Sequence, residues 1–224
     1  CEATDTLGGQ FLTAGEAPRK KEMKAAAISM AKKAERLGVD IRMNTKVTPE
    51  MIEEIKPHTV MNAIGAESII PPIPGVDKAF VKDSHDVLDG KAEATGNVVV
   101  IGGGMVGMET AEYLAEKGAK VSVLEMLPDI CSDMGEEIQK SGIIPVTSIK
   151  VTEIGDNVVI GEKDGEKVEF PCDTAVLAIG AKKRDGSALA ETCYKNGIGY
   201  FEIGDAAMAR RAINATREAM DAAL

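Results

Sequence analysis

The chain has 224 residues, of which 44% are hydrophobic and 28% charged, a composition typical of a globular protein with one large or two small domains. Its formal net charge of −10 argues against nucleic acid or an anionic membrane as a partner. No apolar run approaches the length of a membrane span and no signal peptide opens the sequence, so we expect no membrane association.

The cysteines and histidines carry no pattern of a metal site or a redox disulfide. Neither CxxC nor CxxxxC occurs, which predicts no metal ligands and a reducing, cytoplasmic compartment. The two histidines, His58 and His85, are interpreted as surface or loop residues. Cys131 and Cys193 are interpreted as packing or surface thiols rather than nucleophiles.

The first third of the sequence alternates helical and extended patterns. The spacing of apolar residues predicts a long helix over Pro18–Leu37, followed by a strand over Val39–Asn44. Thr48 and Pro49 are expected to cap a short helix that ends near Ile55. A strand is expected over Thr59–Ala63. The proline-rich run at 71–75 is expected to be a stiff extended segment, and the residues from there to Asn97 are expected to form a linker into the central unit.

The centre of the sequence predicts a strand, a glycine turn, a helix and a second strand. Val98–Ile101 is an apolar β-branched run, and a GxGxxG pattern follows it directly. The helix is expected to begin near Met105 and to stop at Gly118. The second strand, Lys120–Leu124, ends in the carboxylate of Glu125.

This arrangement predicts a dinucleotide site. In the pattern, Gly102 permits the tight turn, Gly104 lets the backbone approach a diphosphate, and Gly107 lets the helix pack closely. The diphosphate would lie at the helix N-terminus, and the Glu125 carboxylate would accept both ribose hydroxyls. Because that carboxylate would repel a 2′-phosphate, NAD(H) is favoured over NADP(H). An ordinary glycine-rich turn is the alternative. The expected contacts also include Gly103, Met105, Val106 and Gly180.

The last part of the sequence predicts a change of architecture and then a return. A short helical piece at 136–140 is expected to lead back to a parallel strand, and an antiparallel meander to begin at Val146. Ala-Ile-Gly-Ala closes an apolar strand twice, at 63–66 and at 178–181, which indicates two related units with the second inserted in the first. A strand over Tyr200–Ile203 and a helix over 206–224 flank Gly204 and Asp205.

Together these motifs resemble the pyridine nucleotide-disulfide oxidoreductase superfamily, which has two dinucleotide-binding domains. The sequence is most similar to the C-terminal, FAD- and NAD(P)H-binding region of the enoate reductase and dienoyl-CoA reductase family, which is related to trimethylamine and histamine dehydrogenases. The segments that carry the similarity are Leu7-Gly8-Gly9-Gln10, the Ala-Ile-Gly-Ala segment with Pro72-Ile73-Pro74-Gly75, and Ile203-Gly204-Asp205-Ala206 with the following Ala209-Arg210-Arg211-Ala212-Ile213.

The resemblance implies an α/β fold with two Rossmann-like three-layer domains. Residues 1–80 and 187–224 would form an FAD-binding domain that lacks its first βα unit, and residues 81–186 an inserted NAD(H)-binding domain. For FAD, the resemblance implies that Glu2 binds the adenosine ribose and Asp205 the ribityl chain. Glu109 would lie near the nicotinamide, or would be only a helix-face carboxylate favoured by the helix dipole. The other implied FAD contacts are Gly8, Gly9, Gln10, Val47, Ala63, Gly65 and Gly204.

The resemblance also implies an upstream part of the same polypeptide. The first strand and first GxGxxG of the FAD domain, a flavin barrel and the cysteines of an iron–sulfur cluster would precede Cys1. The expected function is an NADH-dependent flavoprotein oxidoreductase module that passes hydride from NADH to FAD and feeds a reductase centre elsewhere in a larger enzyme. The alternative is a module that binds NAD or ADP without redox turnover of its own.

Overall fold

The computed structural model describes residues 1–130 and 141–223. The helical piece expected at 136–140 therefore lies outside the described residues. The described helices are α1 (Gly9–Ala14), α2 (Lys21–Arg36), α3 (Pro49–Ile55), α4 (Ser84–Leu88), α5 (Met105–Glu116), α6 (Ser187–Lys195) and α7 (Ala212–Ala223). The described strands are β1 (Thr59–Asn62), β2 (Ala66–Ser68), β3 (Val81–Asp83), β4 (Asn97–Ile101), β5 (Lys120–Leu124), β6 (Ile144–Val146), β7 (Lys150–Ile154), β8 (Val158–Lys163), β9 (Glu166–Pro171), β10 (Thr174–Leu177), β11 (Ala181–Lys183) and β12 (Gly199–Glu202).

The chain divides into two compact units. The first contains Cys1–Leu12, Ala25–Glu67 and Ala181–Leu224, and the second contains Thr13–Lys24 and Ser68–Gly180. The domain boundaries expected from the sequence stay a prediction. The two units differ from them in grouping residues 13–24 and 68–80 with the second unit and residues 181–186 with the first.

A five-stranded parallel sheet forms the centre of the second unit. Its strand order is β3-β10-β4-β5-β6, and every described pairing within it is parallel. The central strands β4 and β10 consist largely of β-branched and other apolar residues that are buried on both faces, as a covered parallel sheet requires. The predicted α/β class with a Rossmann-like parallel sheet is confirmed.

The two faces of this sheet are covered by different structures. Val98 and Val100 of β4 pack with Met108, Ala111 and Leu114 of α5. The alternate residues of β4 pack on the other face with the antiparallel meander β7-β8-β9, which confirms the change of architecture predicted after residue 146. The second unit therefore has three layers: helix, parallel sheet and meander.

The first unit contains a two-stranded parallel sheet of β1 and β12, against which α3 and α6 pack. Thr48 caps α3 as predicted, because its side chain accepts a hydrogen bond from the amide of Met51 at 3.4 Å. Ile52 of α3 packs with Cys193 of α6 and with Ile198, and these buried residues form the core of this unit.

Three predicted elements differ from the structure for identifiable reasons. Helix α2 begins at Lys21 rather than Pro18, because Arg19 has a left-handed φ of 61°. No strand forms over Val39–Asn44. This segment instead makes irregular backbone hydrogen bonds to Glu2 and Thr4, and the left-handed φ of Asn44 interrupts it. The helix expected from residue 206 begins at Ala212, after a 3₁₀ turn at Gly204–Ala206.

The expected linker before the central strand is part of the second unit. It contains β3, which pairs with β10 at one edge of the parallel sheet, and α4, which packs near α5. The interpretation of residues 76–97 as a linker is therefore wrong. In the parts of the chain that the structure describes, no helix is both long enough and apolar enough to span a bilayer.

Candidate functional site

The glycine turn between β4 and α5 is tightly closed at its two ends. The amide of Gly102 donates to the carbonyl of Leu124 at 2.8 Å, and Gly102 has a φ of +109°, which favours glycine. A Cβ at Gly102 would collide with the carbonyl oxygen of Ala178, and a Cβ at Gly107 would collide with the carbonyl oxygen of Gly102. The helix, the turn and the end of β10 therefore pack with no room for side chains.

The middle of the same turn is open. Gly104 is the N-cap of α5, and no atom of the described residues lies within 4 Å of the position that a Cβ would take there. Met105 and Val106, the first residues of the helix, are exposed. The first N–H groups of a helix have no partner within it and can bind an anion, so the open turn at this helix N-terminus fits an NAD(H) diphosphate.

The Glu125 carboxylate lies against this turn. Its Oε2 accepts a hydrogen bond from the amide of Gly103 at 2.6 Å, and its Oε1 accepts one from the amide of Leu127 at 2.8 Å. A carboxylate has about four acceptor positions, so it can still accept ribose hydroxyls. These hydrogen bonds fix the carboxylate beside the glycine turn.

Gly103 has a structural role that the GxGxxG pattern does not show. A Cβ at this position would lie 2.8 Å from Cγ2 of Ile130 and 3.0 Å from Cβ of Glu125. The GxGxxG pattern allows any residue at this position. Only the run of three consecutive glycines, Gly102–Gly104, could have indicated the constraint.

The second Ala-Ile-Gly-Ala segment lies beside the glycine turn. The amide of Ala178 donates to the carbonyl of Ile101 at 2.9 Å, and the carbonyl of Gly180 accepts from the amide of Ile69 at 3.0 Å. Gly180 itself is exposed. The structure therefore brings Gly102, Glu125 and the segment before Gly180 together at the carboxyl ends of adjacent parallel strands, where ligands bind in such sheets.

Two carboxylates of α5 are buried and form ion pairs with basic side chains. Glu109 is 8% exposed and forms an ion pair with the Lys20 ammonium. Glu112 is 5% exposed and forms an ion pair with the Arg19 guanidinium. Glu109 is thus a buried helix carboxylate with a basic partner, and its place near the nicotinamide stays a prediction. Sequence reasoning missed Arg19, Lys20 and Glu112, because 89 residues separate Lys20 from its partner.

The FAD residues expected from the resemblance all belong to the first unit. Since β1 and β12 are parallel, their carboxyl ends lie at the same edge, and the amide of Ile203 donates to the carbonyl of Asn62 at 3.0 Å. Ala63 and Gly65 follow β1, and the Gly204 turn follows β12. The structure brings these two segments together. Their contact with FAD stays a prediction.

The Gly204–Asp205 turn is held by two residues that were not predicted. The Glu218 carboxylate of α7 accepts from the amide of Gly204 at 2.8 Å and pairs with Arg210. The Asp205 Oδ1 accepts from the amide of Arg210 at 3.0 Å. A closed ring of hydrogen bonds therefore fixes the backbone that carries the Asp205 carboxylate.

The remaining expected FAD contacts have simpler surroundings. The Glu2 carboxylate accepts from the amide and hydroxyl of Thr4, both at 2.8 Å. Val47 is half-buried against the core of the first unit. Gly8, Gly9 and Gln10 are exposed at the beginning of α1. Their roles in FAD binding stay predictions.

His85 is not the isolated surface residue that the sequence suggested. Its Nδ1 lies 3.1 Å from the Ser68 hydroxyl and 3.5 Å from the Asp83 carboxylate. The hydrogen bond with Asp83 raises the pKa of His85, and this effect outweighs burial, which lowers it. Burial raises the pKa of Asp83, but hydrogen bonds from His85 and Ser68 outweigh it and lower that pKa to about 2.

The buried thiols lack the surroundings of nucleophiles. Burial, with the nearby charge of Asp173, raises the pKa of Cys172 to about 11, and burial also raises the pKa of Cys193. Across residues 1–130 and 141–223, no cluster of three or more His, Cys, Asp or Glu side chains could hold a metal ion.

Comparison with known proteins places this geometry in a family. The pyridine nucleotide-disulphide oxidoreductase model matches residues 50–198. The chain is 41% identical over 189 residues to a bilirubin reductase of Mediterraneibacter gnavus, covering 81% of this chain and 30% of that protein. It is 38% identical over 218 residues to an NADH oxidase of Thermoanaerobacter brockii, covering 92% of this chain and 33% of the relative.

A solved structure gives the same result. The structure of 2-naphthoyl-CoA reductase in complex with 2-naphthoyl-CoA matches with a TM-score of 0.89 and 27% identity, over 97% of this chain and 34% of that one. The resemblance inferred from the sequence motifs is confirmed. The chain spans about a third of the length of these relatives. Members of this family are oxidoreductases that use FAD and NAD(P)H. By the matched family model and these similarities, the chain belongs to the pyridine nucleotide-disulphide oxidoreductase family.

Proposed function

We propose that this chain is the NADH- and FAD-binding part of a larger enoate reductase-like enzyme, in which hydride from NADH reduces FAD and the electrons continue to a reductase centre elsewhere in the polypeptide. The flavin would supply the chemistry, because it accepts two electrons together and can release them singly. A cytoplasmic location belongs to the same proposal.

One observation carries the nucleotide half of this proposal. The turn is closed at Gly102 and Gly107, open at Gly104, and bordered by a fixed Glu125 carboxylate. The open position and the α5 N-terminus would bind the diphosphate, and the carboxylate would orient the adenosine ribose. These groups would position the nucleotide, and the hydride step needs no acid or base from them.

The nature of the acid at the end of β5 predicts the choice of nucleotide. A 2′-phosphate placed against the Glu125 carboxylate would bring like charges together, at a cost of several kcal/mol. We therefore expect NADH to bind at least about tenfold more tightly than NADPH. Calorimetry on the wild-type chain and on Glu116→Gln, which removes a charge from the other end of α5, would measure this. Equal affinities, or tighter NADPH binding, would contradict the assignment of Glu125.

A substitution at the open glycine tests the position of the diphosphate. Gly104→Val would place a branched side chain where no protein atom of the described residues competes, so the fold should persist. We expect NADH affinity to fall about a hundredfold, because the side chain would occupy the diphosphate position. An unchanged affinity in a folded Gly104→Val variant would remove the nucleotide from this turn.

The redox half of the proposal is tested by the absorbance spectrum of the full-length enzyme. A flavin band that bleaches when NADH is added would support hydride transfer. A colourless protein that binds NADH without a flavin band would instead favour the nucleotide-binding module without redox turnover.

A further inference from the structure

Residues Thr13–Lys24, here called the strap, pack on the second unit although the residues on both sides belong to the first unit. At one end, burial raises the pKa of Asp89, but the side chains of Lys91 and Thr13 outweigh it and lower that pKa, so Thr13 lies beside this carboxylate. At the other end, Glu16 pairs with Lys24, and a Cβ at Gly15 would lie 2.6 Å from the Lys24 amide. The strap is therefore closed on itself and held against the second unit.

The middle of the strap carries two consecutive basic residues, whose side chains form ion pairs with two carboxylates of α5. Arg19 pairs with Glu112 and Lys20 pairs with Glu109. The two carboxylates are three positions apart, so they lie on the same face of the helix about one turn from each other. Counting side-chain atoms alone, Glu112 is 7% exposed and Glu109 is 10% exposed. The side chains of Arg19 and Lys20 are 59% and 32% exposed.

The geometry of Arg19 shows why the two ion pairs depend on each other. Consecutive residues of an extended chain point in opposite directions, yet Arg19 and Lys20 both reach α5. Arg19 has a φ of 61°, a conformation that residues other than glycine adopt only at a cost. Such a conformation persists where the surroundings hold it, and the buried Glu112 carboxylate is a partner that helps to hold it here.

From this arrangement we infer that Arg19 is a positioning residue. It acts through Glu112 to anchor the strap, and the anchored strap places the Lys20 ammonium on Glu109. The inference rests on the proposed function in one respect: Glu109 lies on the nicotinamide side of the bound nucleotide, so the Lys20–Glu109 pair borders the nicotinamide. Loss of Arg19 therefore disturbs the nicotinamide end of the site and leaves the adenosine diphosphate end, at Gly104 and Glu125, intact.

The anchor itself can be measured without any nucleotide. A lysine ammonium in a partly buried ion pair exchanges its protons slowly, and it can then be observed by nitrogen-detected or ¹⁵N–¹H NMR. We expect a Lys20 ammonium signal in the wild-type chain, assigned by its loss in Lys20→Arg. The signal should disappear in Arg19→Ala and in Glu112→Gln. It should persist in Lys195→Ala, which removes an exposed ion pair with Glu191 in the first unit.

The functional consequence is measured with two ligands that share an adenosine diphosphate. We expect Arg19→Ala to weaken NADH binding about tenfold and to leave the affinity for ADP-ribose, which lacks the nicotinamide, unchanged. Arg19→Lys keeps the charge and should restore at least part of the NADH affinity. Thermal unfolding of each variant would show that the second unit remains folded. If Arg19→Ala does not fold, the single variant Glu112→Gln, which breaks the same ion pair, replaces it, and Arg19→Lys remains the comparison.

The outcomes separate this inference from the proposed function. A Lys20 signal that persists in Arg19→Ala would overturn the anchoring role. An equal loss of affinity for NADH and ADP-ribose would reduce Arg19 to a general structural residue and overturn the positioning role. If the wild-type chain binds neither ligand, the proposed function fails, while the ammonium signal still decides whether Arg19 anchors the strap.

Discussion

Gly104 and Gly107 lie three positions apart in one turn but have opposite surroundings. A Cβ at Gly107 would collide with the Gly102 carbonyl, whereas the Cβ position of Gly104 is open among the described residues. Gly107→Ala must move the helix away from the turn, although alanine is the better helix former. We expect it to lower the free energy of unfolding by about 3 kcal/mol, as in overpacked cores.

The matched variant for this prediction is Gly104→Ala. Because a methyl group fits there, its free energy of unfolding should stay within about 0.5 kcal/mol of the wild type. Urea unfolding followed by circular dichroism would measure both variants. Similar stabilities for the two would mean that the close approach of α5 to the turn does not constrain Gly107.

The cluster of His85, Asp83 and Ser68 predicts a dependence of stability on pH. The pKa of His85 is raised in the folded state. Its contribution to the free energy of unfolding is therefore fully present below the pKa that His85 has in the unfolded chain, and is lost as pH rises through its pKa in the folded chain. The carboxylates of Asp86 and Asp89 also raise this pKa, so they act in the same direction as Asp83. The wild type should therefore lose stability relative to His85→Gln as pH rises from about 5 to 9.

The acid side of the same cluster has the opposite sign. Asp83 has its pKa lowered to about 2, so its contribution is present above the unfolded value and is lost as pH falls towards 2. Urea unfolding of the wild type and His85→Gln at several pH values would test both limbs. A difference between the two proteins that does not change between pH 5 and 9 would show that the ion pair contributes no pH-dependent stability.

At the scale of elements, the sequence predicts best where local signals agree. Thr48 and Pro49 mark the beginning of α3, and the glycine turn marks the boundary between β4 and α5, because capping and turn geometry depend on neighbouring residues. The edge strand β3 escaped prediction because only its pairing with β10 makes it a strand. Val39–Asn44 reads as a strand but has no partner strand in the described chain.

The candidate site shows the same division. The residues of the GxGxxG pattern and Glu125 lie within one βαβ segment, and their proximity follows from that segment alone. The partners of the buried carboxylates on α5 come from the strap, and the partner of the Gly204 amide comes from the middle of α7. Charge pairs between distant segments have no periodic pattern in the sequence, so only the folded chain shows them.

Helix α7 makes a prediction at this scale. None of its residues is buried, and Glu218 binds it to the Gly204 turn. The Arg210 pair and the Gly204 amide lower the pKa of Glu218, so its carboxylate is ionised at neutral pH. Glu218→Ala should therefore speed hydrogen exchange at Gly204 and along α7 and leave exchange in β4 and α5 unchanged. Arg217→Ala, on the same helix, is the control, and equal exchange at Gly204 in both variants would contradict the role of Glu218.

At the scale of the whole molecule, the two units differ in the cores that hold them. The second unit buries two large clusters, one on each face of its parallel sheet. The core cluster of the first unit is built on Ile52, Cys193 and Ile198. Since stability follows the apolar surface that is buried, we expect two unfolding transitions, with the first unit unfolding at the lower temperature.

NADH would identify the upper transition, because the proposed nucleotide site lies within the second unit. A ligand that binds only the folded state adds about 2.7 kcal/mol at a concentration of 100 times its Kd. For a unit of this size, that corresponds to a rise of roughly 10 °C in the upper transition, measured by scanning calorimetry. NADH should leave the temperature of the lower transition unchanged. In Gly104→Val, NADH should shift neither transition. A single transition in the wild type, or an equal shift of both by NADH, would show that the two units unfold together, because binding energy would then be shared across both cores.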